Sequence, residues 1–265
     1  MNITEINVYP IKSLRGTSVP EALVCGQGLE NDRCWMLVDD EGKKITQREC
    51  PRLSLLVPSV ENGALHVHAP GVSDIVIALD RTDWTEELLT VDLWGHEHTG
   101  VVAADNVNCA FSASIGMSCR LLWLGREDKV PFHDDAPLLV ISQSSLEELN
   151  RRLPSSLPMN RFRPSVVVAG SIAFDEDEWQ QIAIGQTEFT AVKLCVRCSI
   201  TTIDQSEGEF RGPEPLHTLA KFRRTDKGVA FGAYFLPVNP GSKLRVGDGL
   251  TVLERKALAP SFESH

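Results

Sequence analysis

The chain has 265 residues, of which 42% are hydrophobic and 23% are charged, and its formal net charge at pH 7 is −10. This balance is typical of a globular protein with one large domain or two small ones, and it excludes fibrous, collagen-like and disordered classes. An acidic chain without a run of Lys or Arg repels phosphate backbones, and no stretch approaches the roughly 20 apolar residues that span a bilayer. We therefore expect neither a nucleic-acid nor a membrane partner and, because no export signal is present, a cytoplasmic location.

The first ninety residues are predicted to form strands. Residues 3–10 are a β-branched, largely alternating run, and residues 34–39 lead into a hairpin turn at residues 40–43. Residues 65–68 and 74–79 continue the pattern at hairpin spacing, with glycine and proline breaks. This region is predicted to be a small barrel or meander.

Helices are predicted in the middle of the chain. Small and apolar residues recur at helical spacing over residues 107–115, just before Gly116. A capping box at residues 144–147 opens a second helix, which Pro154 ends.

Strands then return, at residues 165–170, 182–185, 188–192, 200–203 and 249–253. Strand and helix do not alternate, and neither a GxGxxG sequence nor a P-loop is present, so a doubly wound nucleotide-binding sheet is disfavoured. The pattern predicts a mainly β protein with some α structure, of the α+β class.

The most distinctive local motif is a pair of cysteines, Cys195 and Cys198, separated by Val196 and Arg197. The seven cysteines are irregularly spaced, and a second CxxC is absent, which disfavours a disulfide framework and a structural zinc site. A thioredoxin-type pair is disfavoured because the next residues are predicted to be a strand and not a helix. Arg197 would favour the thiolate of Cys198, a soft ligand for a heavy transition metal or a carrier of sulfur.

Two His-x-His pairs and one acidic run receive structural interpretations. His66 with His68, and His96 with His98, are predicted to be surface strand residues, because no carboxylate spacing completes a metal site. The acidic run at residues 175–178 is predicted to be a solvated turn or helix start.

Three basic segments lie at the predicted ends of strands, at residues 10–13, 32–35 and 160–165. Their Lys and Arg side chains could converge on an anion, since each guanidinium offers a planar fork suited to phosphate. They could equally pair with the many acidic residues of the chain. The residues alone leave these two interpretations equally open.

Eight segments resemble, in order and spacing, a known family. The chain resembles MOSC-domain proteins with an N-terminal MOSC β-barrel domain, the group that includes the mitochondrial amidoxime reducing component and its bacterial relatives. The resemblance rests on YPIKSLRG (9–16), DRCWMLVD (32–39), ITQRECPRL (45–53), PLLVISQSSLEELNRRL (137–153), NRFRPSVVV (160–168), CVRCSITTID (195–204), PLHTLAKFR (215–223) and FGAYF with NPGSKLRVGD (231–248).

The resemblance implies a fold and a division of the chain. It implies a MOSC β-barrel domain together with an N-terminal β-barrel-like domain. We place the N-terminal domain at residues 1–105, the MOSC domain at residues 106–255, and a flexible tail at residues 256–265.

The resemblance also implies a site for a molybdenum cofactor, a metal held by one molybdopterin. Cys198 is implied to be the metal ligand and the catalytic residue, whereas Cys195 is not expected to be a ligand. Residues at positions that hold the cofactor in the family are Lys12, Ser13 and Arg33 from the N-terminal domain and Arg163, Ser165, Val196, Arg197 and Tyr234 from the MOSC domain. Many relatives have Asn at the position of Ser165 and Ser at that of Val196, so we expect weaker or water-mediated contacts there.

The function implied by the resemblance is that of a molybdenum-cofactor-dependent oxidoreductase. Its substrates would be small N-hydroxylated molecules, such as amidoximes and N-hydroxylated nucleobases, which it would reduce to amidines or amines. The sequence ends within a few residues of Leu253 without an iron–sulfur domain, so we expect a separate electron-donor protein of the ferredoxin, flavoprotein reductase or cytochrome b5 type. The alternative is a non-redox MOSC protein that binds the cofactor or carries sulfur as a persulfide.

Overall fold

The computed structural model describes residues 1–71, 73–93, 95–124, 131–133 and 135–258. Strands dominate this part of the chain and α-helices are few, so the predicted α+β class, mainly β, is confirmed. The helices are α1 (Asp105–Ile115), α2 (Gln143–Arg152) and α3 (Leu216–Leu219). The strands are β1 (Asn2–Val8), β2 (Thr17–Val19), β3 (Glu21–Cys25), β4 (Gly28–Leu29), β5 (Trp35–Val38), β6 (Val57–Glu61), β7 (Ala64–His68), β8 (Ile75–Ala78), β9 (Trp84–Leu93), β10 (His96–Ala103), β11 (Arg120–Trp123), β12 (Leu138–Ser142), β13 (Val166–Ala169), β14 (Trp179–Ile184), β15 (Thr187–Val196), β16 (Ile203–Asp204), β17 (Glu209–Phe210), β18 (Arg224–Thr225), β19 (Gly228–Pro237), β20 (Lys243–Arg245) and β21 (Leu250–Arg255).

The largest sheet closes on itself. Its strand order is β2-β1-β13-β12-β19-β15-β14-β21, and β12 and β13 are its parallel pair. The backbone N–H of Leu250 donates to the carbonyl of Met1 and that of Ile3 donates to the carbonyl of Asp248, both at 2.9 Å, which joins β21 back to β1. Alternate residues such as Val166 and Val168 face the closed interior and are fully buried, as the period of two in a strand requires.

A second group of strands and helix α1 form the rest of the core. Strands β5, β11, β10 and β9 make one sheet, and β6, β7 and β8 make another. Phe111 of α1 is fully buried against these strands, together with Trp35 and Trp123, whose rings stack with centroids 6.2 Å apart. Helix α1 covers the whole of the predicted span, residues 107–115, and ends at Gly116 in the left-handed conformation.

The two cores do not follow the order of the chain. Ile3 and Ile6 of β1 pack inside the closed sheet with residues from 138 onward, and so do Ala22, Val24 and Leu29. The core around α1 is built from other residues between 11 and 123. The predicted division between residues 105 and 106 falls after the first residue of α1 and stays a prediction. The flexible tail is predicted at residues 256–265. Of these, residues 259–265 lie outside the described residues.

Helix α2 begins one residue earlier than its predicted capping box. Its N-cap is Ser142, the last residue of β12, whose Oγ accepts a hydrogen bond from the N–H of Ser145 at 3.1 Å. A buried hydroxyl at that position satisfies one of the otherwise unpaired donors of the first turn. Leu149 of α2 is fully buried.

The strand predicted at residues 200–203 is wrong. Ser199–Thr202 form a single 3-10 turn, and only Ile203 and Asp204 continue as a short strand. The hydroxyls of Thr201 and Thr202 donate to the carbonyls of Cys198 and Ser199, at 2.9 and 2.7 Å, and these local bonds stabilise the turn over an extended chain. A thioredoxin-type motif lies at the start of an α-helix, and a single 3-10 turn is not one. The thioredoxin-type interpretation of the cysteine pair therefore remains disfavoured.

The acidic run at residues 175–178 is a 3-10 turn, but its predicted solvation is wrong for two of its members. Glu176 is fully buried and accepts hydrogen bonds from Ser142 and Ser145, and Asp177 pairs with the buried Arg223. Burial raises the pKa of both carboxyl groups, even though the bond from Arg223 opposes this for Asp177. The run therefore anchors the turn to the start of α2 and to Arg223, which follows α3.

The histidine pairs lie on strands, as predicted. His68 and His96 are exposed, on β7 and β10, and His66 and His98 are half-buried. Within the described ranges, no three His, Cys, Asp or Glu side chains are grouped as a metal would require. No helix in the part of the chain that the structure describes is long and apolar enough to cross a membrane.

Candidate functional site

A cavity of about 320 Å³ collects residues from both halves of the chain. Eight of the nine predicted site residues line it: Lys12, Ser13, Arg33, Arg163, Val196, Arg197, Cys198 and Tyr234. The predicted convergence of Lys12, Arg33, Arg163 and Arg197 is therefore present in the structure, although these residues are up to 185 positions apart.

Lys12 and Ser13 reach the cavity because the chain turns sharply after β1. The N–H of Lys12 donates to the carbonyl of Trp35 at 2.7 Å, and its ammonium donates to the carbonyl of Phe132 at 3.0 Å. Lys12 is only 4% exposed, so its charge is held where water is scarce. Ser13 has a φ of 66°, in the left-handed region that favours glycine.

Arg33 lies in the turn between β4 and β5. Its guanidinium forms an ion pair with the buried carboxylate of Asp32, and its Cζ lies 4.5 Å from the ring centroid of Tyr9. Burial by itself would lower the pKa of Arg33, but the charge and the hydrogen bond of Asp32, together with the nearby Tyr9 and Tyr234, leave that pKa above its usual value. Arg33 is therefore a permanent cation at the cavity wall.

Arg163 follows a 3-10 turn at Met159–Phe162 and adopts a φ of 53°. Its Nη1 donates to the carbonyl of Leu14 at 2.6 Å, which ties this turn to the N-terminal loop. Ser13, Arg33 and Arg163 thus all have left-handed backbones, a strained state that persists only where surrounding contacts fix it.

The two cysteines of the pair differ in their surroundings. Cys195, near the end of β15, is 3% exposed and packs among residues under α2 and α3. Its sulfur accepts a hydrogen bond from Nη1 of Arg197, yet burial is the stronger effect and raises its pKa. Cys198 is exposed at the cavity wall, at the start of the 3-10 turn. Of the two sulfurs, that of Cys198 is the accessible one.

Arg197 links the cysteine pair to the opposite wall. Its Nη2 donates to the carbonyl of Phe162 at 2.6 Å, and its Cζ lies 5.6 Å from the ring centroid of the same residue. Its Nε is buried and has no hydrogen-bond partner among the described residues. A buried N–H without an acceptor is costly, which indicates a missing acceptor.

The remaining predicted residues occupy different environments. Tyr234 lies on β19, opposite Lys193 of β15, and lines the cavity. Val196, the last residue of β15, also lines it. Ser165 is fully buried instead, with hydrogen bonds between its backbone and Leu139 and Asn7, and it does not line the cavity. The structure gives the predicted contact of Ser165 with a cofactor no support.

The charges of the cavity suit an anionic ligand. Five cationic side chains line it, Lys12, Arg33, Arg48, Arg163 and Arg197. Among the described lining residues the carboxylate is that of Asp135, which pairs with Lys193 at 2.6 Å. Gathering so many like charges is unfavourable without a counterion, so the donor set fits a phosphorylated group. The exposed thiol of Cys198 on the same wall fits a soft metal.

Sequence reasoning missed several residues of this region. Arg48, Thr46 and Thr201 line the cavity, and Tyr9 lies behind it in contact with two of its arginines. Arg48 and Tyr9 stand inside the motifs ITQRECPRL and YPIKSLRG. The basic charge of Arg48 was a usable signal, whereas Tyr9 looks like an ordinary strand residue.

Comparison with known proteins gives two family matches and several relatives. Residues 1–118 match the MOSC N-terminal beta barrel domain, and residues 127–251 match the MOSC domain. The chain is 33% identical to mitochondrial amidoxime-reducing component 1 of Mus musculus, covering 95% of this chain and 82% of that protein. It is 35% identical to mitochondrial amidoxime reducing component 2 of Rattus norvegicus, with 93% and 81% covered. It is 32% identical to molybdenum cofactor sulfurase of Oryza sativa subsp. japonica, but covers only 32% of that protein while 88% of this chain is matched.

Proposed function

The chain belongs to the family that joins a MOSC N-terminal β-barrel domain to a MOSC domain and includes the mitochondrial amidoxime-reducing components, and on that premise we propose that it is a molybdenum-cofactor-dependent oxidoreductase. Its substrates are N-hydroxylated compounds, amidoximes and N-hydroxylated nucleobases, which it reduces to amidines or amines. The observation that carries the proposal is the exposed thiol of Cys198 beside a cluster of cations in one cavity.

The chain's own residues divide the task of binding. The sulfur of Cys198 would ligate the metal, and the side chains of Lys12, Arg33, Arg163 and Arg197 would hold the phosphate and the pterin. When bound, the cofactor supplies a two-electron redox centre. Cys195 also lines the cavity, but it would not ligate the metal, because its side chain is buried and its sulfur accepts a hydrogen bond from Arg197.

The overall reaction breaks one N–O bond. An amidoxime takes up two electrons and two protons and yields an amidine and water. The fixed cations need no rearrangement when the charge at the centre changes. Tyr234 lines the same cavity, and its hydroxyl would orient the polar end of the substrate.

We propose that a separate electron-donor protein supplies the electrons, of the ferredoxin, flavoprotein reductase or cytochrome b5 type. The similar proteins of mouse and rat carry the word component in their names, which fits a reductase that works with another protein. A cytoplasmic location stays a prediction.

The proposal is tested by metal content and turnover. Protein from a host that makes the cofactor is expected to hold close to one molybdenum per chain and to reduce benzamidoxime with a chemical electron donor. Cys198→Ser is expected to lower the rate by roughly a hundredfold or more, since a hydroxyl is a poor substitute for a soft thiolate. The melting temperature should not change, because Cys198 is exposed.

Cys195→Ser is the matched control, since it makes the same atomic change three residues away. It is expected to retain substantial activity, with losses confined to packing. Equal activity of wild type and Cys198→Ser, or a preparation that is active without molybdenum, contradicts the proposal.

A second candidate function is supported by the match to a molybdenum cofactor sulfurase. In that case the chain would be a non-redox protein that binds the cofactor or carries sulfur as a persulfide on Cys198. Intact-mass measurement separates the two. A gain of one sulfur atom on Cys198, in protein without molybdenum and without turnover of benzamidoxime, favours the carrier.

A further inference from the structure

One aromatic ring is shared by two of the cavity's arginines. The Cζ of Arg33 lies 4.5 Å and that of Arg163 4.4 Å from the ring centroid of Tyr9. A guanidinium over an aromatic face is attracted by the ring quadrupole, and the attraction grows where water is excluded. Arg33 comes from the N-terminal half and Arg163 from the C-terminal half, so the ring connects cations that are 130 residues apart.

The ring is fixed through the neighbours of both arginines. The hydroxyl of Tyr9 donates to the carbonyl of Pro164 at 3.0 Å, and its N–H donates to the carboxylate of Asp32 at 2.8 Å. Burial raises the pKa of Tyr9 to about 12, which keeps the hydroxyl protonated as a donor at neutral pH. Tyr9 is 3% exposed and is not among the described residues that line the cavity.

A glycine makes room for the ring. A Cβ on Gly16 would lie 2.3 Å from Cε1 of Tyr9, closer than real contacts allow. Gly16 belongs to the same loop as Ser13, so the course of this loop and the place of the ring depend on each other.

Both arginines need such a support. Each has a left-handed backbone, with φ of 51° and 53°, and each carries a charge that repels the other. Hydrogen bonds to Asp32 and to the carbonyl of Leu14 hold one edge of each guanidinium. The Tyr9 ring is the contact that they have in common.

We propose that Tyr9 is a positioning residue that sets the spacing of Arg33 and Arg163 so that together they hold the phosphate group of the cofactor. This inference rests on the proposed function, and it adds a residue that touches neither metal nor substrate. The aromatic face performs this role, and the hydroxyl only aligns the ring.

The test measures phosphate binding and cofactor content, without activity. Inorganic phosphate is titrated calorimetrically, at constant ionic strength, into the full chain from a host that lacks molybdopterin. Molybdenum and pterin per chain are measured in protein from a cofactor-producing host. The variants are Tyr9→Leu, which removes the ring, and Tyr9→Phe, which keeps it. Phe222→Leu is the matched control, because Arg152 lies 4.0 Å over that ring, away from the cavity.

Tyr9→Leu is expected to bind phosphate roughly tenfold more weakly and to lose most of its cofactor. Tyr9→Phe and Phe222→Leu should remain within about twofold of wild type. A Tyr9→Leu protein that binds phosphate and cofactor like wild type overturns the inference. So does an equal loss in Tyr9→Phe, since that would assign the effect to the hydroxyl.

Two further variants keep the test decisive. If Tyr9→Leu does not fold, Gly16→Ala is used instead, because its Cβ displaces the ring while the chain keeps its tyrosine. This variant should also bind phosphate more weakly than wild type. Unchanged binding contradicts the inference. Arg163→Ala separates the two proposals. If it keeps phosphate binding and cofactor content, the proposed cofactor site itself is wrong. If it loses both while Tyr9→Leu does not, only the role of Tyr9 is wrong.

Discussion

Two arginines in this protein, the buried Arg223 and the half-buried Arg197, show how a structural ion pair differs from a ligand site. Under the outer face of the closed sheet, all three nitrogen atoms of Arg223 have partners: both terminal nitrogens contact the carboxylate of Asp177, and Nε donates to the carbonyl of Ala230. In the cavity, Arg197 donates to a sulfur and a carbonyl, and its Nε has no hydrogen-bond partner among the described residues. The first arrangement is complete within the chain, whereas the second leaves one N–H without a partner among the described residues.

The largest expected effect concerns the complete pair. Asp177→Ala removes the carboxylate partner of Arg223, which stays charged at 3% exposure, and we expect a loss of about 3–5 kcal/mol in the free energy of unfolding. Urea denaturation followed by circular dichroism measures it. The cofactor content of the folded fraction should not change.

Asp135→Ala is the matched control for that change. Asp135 pairs with Lys193, but both side chains are about 40% exposed, at 38% and 42%, so we expect a loss of less than about 1 kcal/mol. Equal losses in the two variants would show that the pair of Asp177 and Arg223 contributes no more than a surface pair.

The second prediction concerns His133, whose protonation would add a positive charge to the cationic region. The side chain of His133 is 8% exposed and lies near Asp32, and burial lowers its pKa to about 4. The unfolded chain takes up this proton near pH 6.5 and the folded chain only near pH 4, so stability is fully present above pH 6.5 and falls as the pH drops to 4. The loss over this window is about 3 kcal/mol at most.

The measurement is urea denaturation of wild type and His133→Gln at pH 7, 5.5 and 4.5. Gln keeps an N–H for the carbonyl of Gln27, which the imidazole contacts at 3.0 Å. The difference in stability between the two proteins should shift in favour of the variant as the pH falls. A difference that stays constant with pH would contradict the low pKa of His133.

The smallest expected effect concerns the incomplete arginine. Arg197→Met removes two hydrogen bonds and one cation from the cavity, so the free energy of unfolding of cofactor-free protein should fall by only about 1–2 kcal/mol. Cofactor content should fall roughly tenfold, opposite to the pattern for Asp177→Ala. A stability loss as large as that of Asp177→Ala, with full cofactor content, would place Arg197 among the structural residues.

The sequence predicts a helix or strand well where a regular pattern of hydrophobic residues runs over several positions and ends at a residue such as glycine. The strand at residues 165–170 and the helix at residues 107–115 agree with β13 and α1 within a few residues. The prediction is wrong at residues 200–203, where β-branched residues favour a strand but threonine hydroxyls bond back to the chain. It is also wrong for Glu176 and Asp177, since their buried partners Ser145 and Arg223 are distant in sequence.

The candidate site was predicted through a resemblance as much as through physics. From the residues alone, basic side chains at strand ends could bind an anion or pair with acids. The structure supports the first interpretation for Lys12 and Arg163, which line the cavity, and the second for Arg161, which pairs with Asp204. Arg33 fits both, since it lines the cavity and pairs with its neighbour in the sequence. Exposure likewise separates Cys198 from Cys195, although the two lie three positions apart.

By itself, the sequence determined the predominance of strands, the two longer helices and the identity of the cysteine pair, because short-range periodicity and residue chemistry encode these features. Only the tertiary structure decided that β1 joins β13 and closes with β21, which brings Tyr9 to Pro164 and Arg163 to Leu14. Such contacts, about 150 residues apart, leave no local signal, since they depend on the order of strands in the sheet. Which charges find a partner within the chain, and which remain for a ligand, follows from that order.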